Sequence, residues 1–238
     1  MNPHHPKPGS RGPERRSILL GACALALAGC SRSTDSESSP AEPDSRALPQ
    51  PGADAAEKIV TMLGDSITAG FGLASADALP ARLESALRAK GISVRVRAAG
   101  LSGDTTAGGL ARVDFSVMDD TDLCIVALGG NDMLQGLDPS TVRSNLQAIM
   151  DRLKVRGIPV LLVGMRAPAQ YGTYTGEFDR VFTDLAEDEN VAVYPFLLDG
   201  VALDRRYNQA DGIHPNAEGV RIIVTGLAPV VQQALAGD

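Results

Sequence analysis

Four short polar clusters carry the side chains of this 238-residue chain that could do chemistry: Gly64-Asp65-Ser66, Ser102-Gly103-Asp104, Gly129-Gly130-Asn131-Asp132 and Asp211-Gly212-Ile213-His214-Pro215. A serine hydroxyl and an imidazole are the pair that acyl transfer needs, a nucleophile and a base that titrates near neutrality. The chain has three histidines, and His4 and His5 precede an apolar export segment, so His214 is the one imidazole left to the folded part. No other unperturbed side chain titrates in that range, which makes His214 the base or rules this chemistry out. Asp211, three positions earlier, can accept the imidazole Nδ1 proton and fix its tautomer if the residues between them form a tight turn. Ser66 is therefore the expected nucleophile, His214 the base and Asp211 the orienting acid.

Acyl transfer also needs donors aimed at the developing oxyanion. The backbone N–H groups of Ser66 and Gly103 and the side-chain amide of Asn131 are the expected three. Singly, a glycine or asparagine in a turn is ordinary turn chemistry; their joint placement after successive strands is what singles them out. Asp65, Asp104 and Asp132 read as turn and hydrogen-bonding residues, because His214 can use only one orienting acid.

These clusters sit where the elements would have to present them. Ile59-Val60-Thr61-Met62-Leu63 is apolar and largely β-branched, as a strand buried on both faces should be, and Ser66 follows it after Gly64-Asp65. Apolar runs then alternate with amphipathic stretches to the end of the chain, which predicts βαβ units around a parallel sheet. Strands are expected near 59–64, 94–99, 123–128, 159–164 and 191–195, with helices near 79–90, 106–117, 140–156, 176–189 and 216–235. Asp138-Pro139 reads as an N-cap followed by a first-turn proline, and Gly91 and Gly157 as residues just past helix ends. The sequence shows no internal repeat, no heptad run and, beyond the N-terminal region, no apolar stretch expected to span a bilayer.

Residues 1–29 read as a signal segment: Arg15-Arg16 precede an apolar run from Ile18 to Ala28 that is too short for a transmembrane helix. Leu27-Ala28-Gly29-Cys30 resembles a bacterial lipobox, in which cleavage precedes the cysteine and that cysteine is lipidated, so Cys30 is the expected lipidation site. Glu14-Arg15-Arg16-Ser17-Ile18-Leu19 also resembles a twin-arginine signal, with Ile18 where phenylalanine is preferred, and the export route stays open. Residues 30–57 are a tether of Ser, Pro, Ala, Asp, Glu and Gly with too little apolar surface to fold. As a flexible coil its span is roughly 30 Å. The expected location is the periplasmic side of a membrane, with the outer membrane favoured. Formal charge is −7 for the whole chain and −10 once residues 1–29 are removed, with 18 basic against 28 acidic side chains, which argues against a nucleic-acid partner. With Cys23 in the signal segment, Cys30 lipidated and Cys124 in an apolar strand, no disulfide framework is left.

The four clusters, in order, resemble the motifs of the SGNH (GDSL-type) hydrolases, whose Ser, Gly, Asn and His map to Ser66, Gly103, Asn131 and His214. Gly108-Gly109-Leu110-Ala111-Arg112 and Gln170-Tyr171-Gly172 are most similar to the bacterial arylesterase, acyl-CoA thioesterase and lysophospholipase branch. The resemblance covers roughly residues 58–235, so 58–238 is taken as the hydrolase domain. It implies a flavodoxin-like three-layer α/β/α sandwich with a five-stranded parallel sheet of order 2-1-3-4-5, and neither metal nor organic cofactor.

The expected activity is hydrolysis of a small-molecule acyl ester or thioester by a monomeric enzyme, with Met133, Leu134, Tyr171 and Ile213 as candidate walls of an acyl pocket. Aryl esters, acyl thioesters and lysophospholipids would all use the same triad, as would an acetylated carbohydrate. A non-catalytic binding lipoprotein of the same fold is the reading from a different class. A two-metal phosphoesterase, which the Gly-Asp and Gly-Asn-Asp turns superficially suggest, would need more imidazole than one histidine supplies.

Overall fold

A computed structural model describes residues 56–237. The signal segment, Cys30 and nearly all of the tether lie outside the described residues. Five strands, β1 (Lys58–Gly64), β2 (Val94–Gly100), β3 (Leu123–Ala127), β4 (Val160–Val163) and β5 (Ala192–Tyr194), form one sheet of order β2-β1-β3-β4-β5. Every pairing is parallel, with Val60 opposite both Val96 and Leu123, and Leu161 opposite Ala192. Among the described residues seven α-helices accompany them: α1 (Ser66–Ala69), α2 (Leu79–Ala89), α3 (Thr106–Ser116), α4 (Gly130–Leu134), α5 (Pro139–Val155), α6 (Thr173–Glu189) and α7 (Ala217–Ala236).

The layers follow from crossover handedness. The connection through α2 carries the chain from β1 outward to the edge strand β2, whereas those through α3, α5 and α6 move in the opposite direction across the sheet. Right-handed crossovers in opposite directions place their helices on opposite faces. Accordingly α2 packs beside α7 on one face, and α3, α5 and α6 pack in sequence on the other. β3 and β4 are buried throughout and β1 from Val60 onward, while the edge strands β2 and β5 are only partly covered. That burial is why the three inner strands read as continuous apolar runs.

Strand and helix positions agree with the sequence expectation to within three residues at each end. Asp138 caps α5 by accepting the Ser140 N–H, and Gly91 and Gly157 adopt φ of +82° and +68° just past α2 and α5. Two short helices, α1 and α4, were not expected, because four or five residues are too few to show a helical period. Another departure is α7: it is long and apolar enough by composition to span a bilayer, yet it buries Val220, Ile223, Val224, Leu227 and Val231 in the domain core.

The connections leaving β1 and β3 run in opposite directions, so the crevice between the carboxyl ends of these neighbours is the switch point of the sheet, where open α/β folds place their ligands. α1 lies tight against this edge. A Cβ on Gly64 would fall 2.1 Å from Thr68 Oγ1, and one on Gly100 would fall 2.3 Å from the Ala69 nitrogen. Only glycine at the ends of β1 and β2 admits the turn that carries Ser66.

Candidate active site

Ser66 is the first residue of α1, immediately past β1, and Asp65 caps that helix by accepting the Ile67 N–H at 3.0 Å. The cap turns the chain sharply enough to lift the Ser66 side chain to the switch-point crevice. His214 reaches it from the loop between β5 and α7, with Nε2 2.9 Å from Ser66 Oγ. Asp211 stands behind it: Oδ2 lies 2.7 Å from His214 Nδ1, and Oδ1 accepts the N–H groups of Ile213 at 2.9 Å and His214 at 3.0 Å. Those bonds, with the Ile213 N–H first, hold the Asp211 carboxyl down at about 2. A carboxylate facing Nδ1 sets the neutral ring with its proton on Nδ1 and leaves Nε2 free to accept from the serine hydroxyl.

Of the three donors singled out by the sequence, Ser66 and Asn131 line the same crevice as His214, and Gly103 is not among its lining residues. The Ser66 and Gly103 N–H groups have no backbone acceptor among the described residues, and Gly103 holds a φ of +83° with open space where a Cβ would stand. Asn131 sits on α4 beyond β3, and its Nδ2 donates to the Asp104 carbonyl at 2.9 Å, with Asp65 Oδ2 farther off at 3.4 Å. The three acidic residues expected in turns all accept hydrogen bonds, but Asp132 lies in α4 and its partner Thr106 is 26 positions away. Asp132 is fully buried and accepts the Thr106 N–H at 2.9 Å and the Thr106 hydroxyl at 2.5 Å. Asp104 pairs with Arg112 at 2.7 Å, and the same guanidinium donates to the carbonyls of Gly64 at 2.8 Å and Ala99 at 2.9 Å. Arg112 thus ties the loop bearing Gly103 to the ends of β1 and β2. Burial pushes the Asp65 carboxyl up to about 6, against the opposing effects of the Ile67 N–H and of His214.

An apolar cavity of about 360 Å³ adjoins this crevice, lined by Met133, Leu134, Met165, Phe196, Leu198 and Ile213 among others. Met133, Leu134, Met165, Leu198 and Ile213 also line the smaller space of about 120 Å³ over Ser66, Asn131 and His214, so the two adjoin. Of the four residues expected to wall an acyl pocket, Met133, Leu134 and Ile213 are there. Tyr171 is not among the lining residues; it packs edge-on against Tyr174 with ring centres 6.2 Å apart. Met165, Phe196 and Leu198 escaped the sequence reading, because an apolar residue at a strand end looks the same whether it fills the core or faces a cavity. Phe71 escaped it too: its ring lies 4.5 Å from the imidazole of His214. A larger groove of about 550 Å³ runs between α5 and α6, but it is lined by Arg143, Glu177, Arg180, Asp184, Glu187 and Asp188 and includes none of the residues above.

A parallel sheet of order 2-1-3-4-5 with a serine, a histidine and an aspartate joined at its switch point defines an SGNH-type α/β hydrolase. Residues 62–222 match the GDSL-like Lipase/Acylhydrolase family, and the chain belongs to it. It is a hydrolase that acts on ester bonds. The chain is 39% identical to Esterase TesA of Pseudomonas aeruginosa over 68% of its own length and 81% of that protein. It is 33% identical to Thioesterase 1/protease 1/lysophospholipase L1 of Escherichia coli K12, over 77% of this chain and 88% of that one. Among solved structures, the SGNH-hydrolase family esterase AlinE4 matches with a TM-score of 0.63 and 43% identity, covering 76% of this chain and 97% of its own.

Proposed function

We propose that this protein is a serine esterase that hydrolyses acyl esters and thioesters of medium chain length through a Ser66 acyl-enzyme. The observation that carries this is the unbroken line from Asp211 through His214 to Ser66 Oγ, with contacts of 2.7 and 2.9 Å. His214 Nε2 takes the hydroxyl proton as Ser66 Oγ attacks the acyl carbonyl. Asp211 stabilises the imidazolium that forms. The N–H groups of Ser66 and Gly103 and the Asn131 amide receive the oxyanion. His214 then returns its proton to the leaving oxygen or sulfur, and water repeats the cycle on the acyl-enzyme.

The acyl chain lies in the cavity walled by Met133, Leu134, Met165, Leu198 and Ile213. A cavity of about 360 Å³ with mainly apolar walls, Arg166 and Asn208 apart, suits an alkyl chain better than an acetyl group, which favours aryl esters, acyl thioesters or lysophospholipids over an acetylated carbohydrate. The enzyme works as a monomer, without cofactor, on the periplasmic side of a membrane to which lipid on Cys30 holds it through the acidic tether.

Steady-state kinetics on p-nitrophenyl esters of graded chain length test the chemistry. Ser66→Ala and His214→Ala should each lower kcat by about 10⁶, and the double variant should be scarcely worse, since triad members act as a unit. Strictly additive losses, or full activity in either single variant, would remove the pair from the mechanism.

A further inference from the structure

We propose that Gln209 is a positioning residue that sets the separation of Ser66 and His214 by strapping together the two loops that carry them. The inference rests on the serine-hydrolase reading of the site and adds a residue from outside its motifs.

Apart from the packing of Phe71 on His214, few contacts between the two catalytic loops are directional. Ser66 lies in the connection from β1 to α2, and His214 in the connection from β5 to α7. Among the described residues, no backbone–backbone hydrogen bond joins the segment 65–78 to the segment 196–216. Two side-chain bonds do. One is the Ser66–His214 contact that performs the chemistry, and the other is Gln209 Nε2 donating to the Phe71 carbonyl at 2.7 Å.

Gln209 is built to transmit position. Its side-chain amide also donates to the Pro215 carbonyl at 3.0 Å, so one planar group spans both loops. Its own backbone is fixed within the histidine loop, where its N–H donates to the His214 carbonyl at 2.8 Å and its carbonyl accepts the Gly212 N–H at 3.0 Å. On the other side, the Phe71 N–H donates to the Ser66 carbonyl at 3.0 Å, and the Phe71 ring covers the imidazole at 4.5 Å. The contacts close a ring from Ser66 to Phe71, Gln209, Pro215, His214 and back to Ser66. Gly72 leaves room for the strap: its φ is +71°, and a Cβ there would fall 2.1 Å from Gln209 Oε1.

Proton transfer from Ser66 needs Nε2 within hydrogen-bond reach, and a misplacement of about 1 Å can cost on the order of 10² in rate. Gln209 acts on the step that uses this contact, whereas the cavity that binds the acyl chain has other walls.

Gln209→Met keeps the length of the side chain and removes both donors, while Gln209→Lys keeps an N–H donor for each carbonyl. Three quantities are read on the full chain: kcat and KM for p-nitrophenyl butyrate, the rate of Ser66 modification by an organophosphonate per titrated active site, and the melting temperature by circular dichroism. Gln209→Met should lower kcat and the phosphonylation rate together by about 10- to 10²-fold, with KM within about twofold, and Gln209→Lys should recover part of the loss. A purely structural role would lower the melting temperature and the number of titratable sites but leave the rate per site unchanged. Wild-type rates per site in Gln209→Met, or equal impairment in the Met and Lys variants, would overturn the proposal. If Gln209→Met folds poorly, Gly72→Ala displaces the strap without deleting it; the same kcat loss is expected, and wild-type turnover there would again overturn it. The two levels separate cleanly. Activity retained in Ser66→Ala or His214→Ala defeats the hydrolase reading itself, whereas inactivity there combined with a fully active Gln209→Met defeats only the strap.

Discussion

Asp211 and His214 are joined twice within one tight loop, through the ring at 2.7 Å and through the His214 N–H at 3.0 Å, and the neighbouring Ile213 N–H donates to the same carboxylate at 2.9 Å. One oxygen shapes the loop and the other orients the ring. Asp211→Asn retains an acceptor for the backbone but presents its amide to Nδ1, which favours the wrong tautomer. We expect a folded protein with kcat lower by about 10⁴. Because the Asp211 carboxyl is held at about 2, it stays ionised throughout the working range. Asp211 should then contribute no ionisation of its own to the acid limb of kcat/KM. The pH–rate profiles of the wild type and of Asp211→Asn check this, and an acid-limb ionisation that the substitution abolishes would contradict it.

The side-chain amide of Asn131 is held by the Asp104 carbonyl, 2.9 Å away. Asn131→Ala should leave the fold intact and lower kcat by about 10²–10³, the usual effect of losing one oxyanion donor. Circular dichroism and steady-state kinetics on the same preparation decide the matter; wild-type turnover would take Asn131 out of the oxyanion hole.

Asp65 makes stability depend on pH in the direction opposite to most carboxylates. Its folded value, about 6, lies above the ordinary 3.8, so between these values the native state holds a proton that the unfolded chain has released. Its neutral form therefore favours folding fully below about pH 4, and that advantage is lost as pH rises through 6. Asp65→Asn removes the titration. The melting temperature of this variant relative to wild type should climb between pH 4 and 7 and then level off. An offset that is constant across the series would show that Asp65 does not titrate there.

Anchoring by Cys30 is tested separately from catalysis. The lipid would add two acyl chains, enough for stable attachment. Cys30→Ala should move the active hydrolase from the membrane fraction to the soluble fraction of fractionated cells, with unchanged activity toward a soluble ester. Continued membrane attachment would count against lipidation at that residue.

The sequence by itself determined most of the scaffold and which groups are available to react. Inner strands buried on both faces must be apolar along their whole length, so β1, β3 and β4 announce themselves. The helices show their 3.6-residue period, and a folded part with one imidazole leaves no choice of base. The strand order came from the resemblance of its motifs to a known family. What only the tertiary structure decided are the pairings between groups far apart in the chain. Gln209 meets Phe71 across 138 positions and Arg112 meets the Gly64 carbonyl across 48, and neither residue type nor spacing marks such a partner beforehand. The acyl cavity has the same origin. Its walls come from α4, the ends of β4 and β5 and the histidine loop. A methionine or leucine at a strand end is apolar in either case, and whether it meets another side chain or an open space is settled by how the surrounding elements pack.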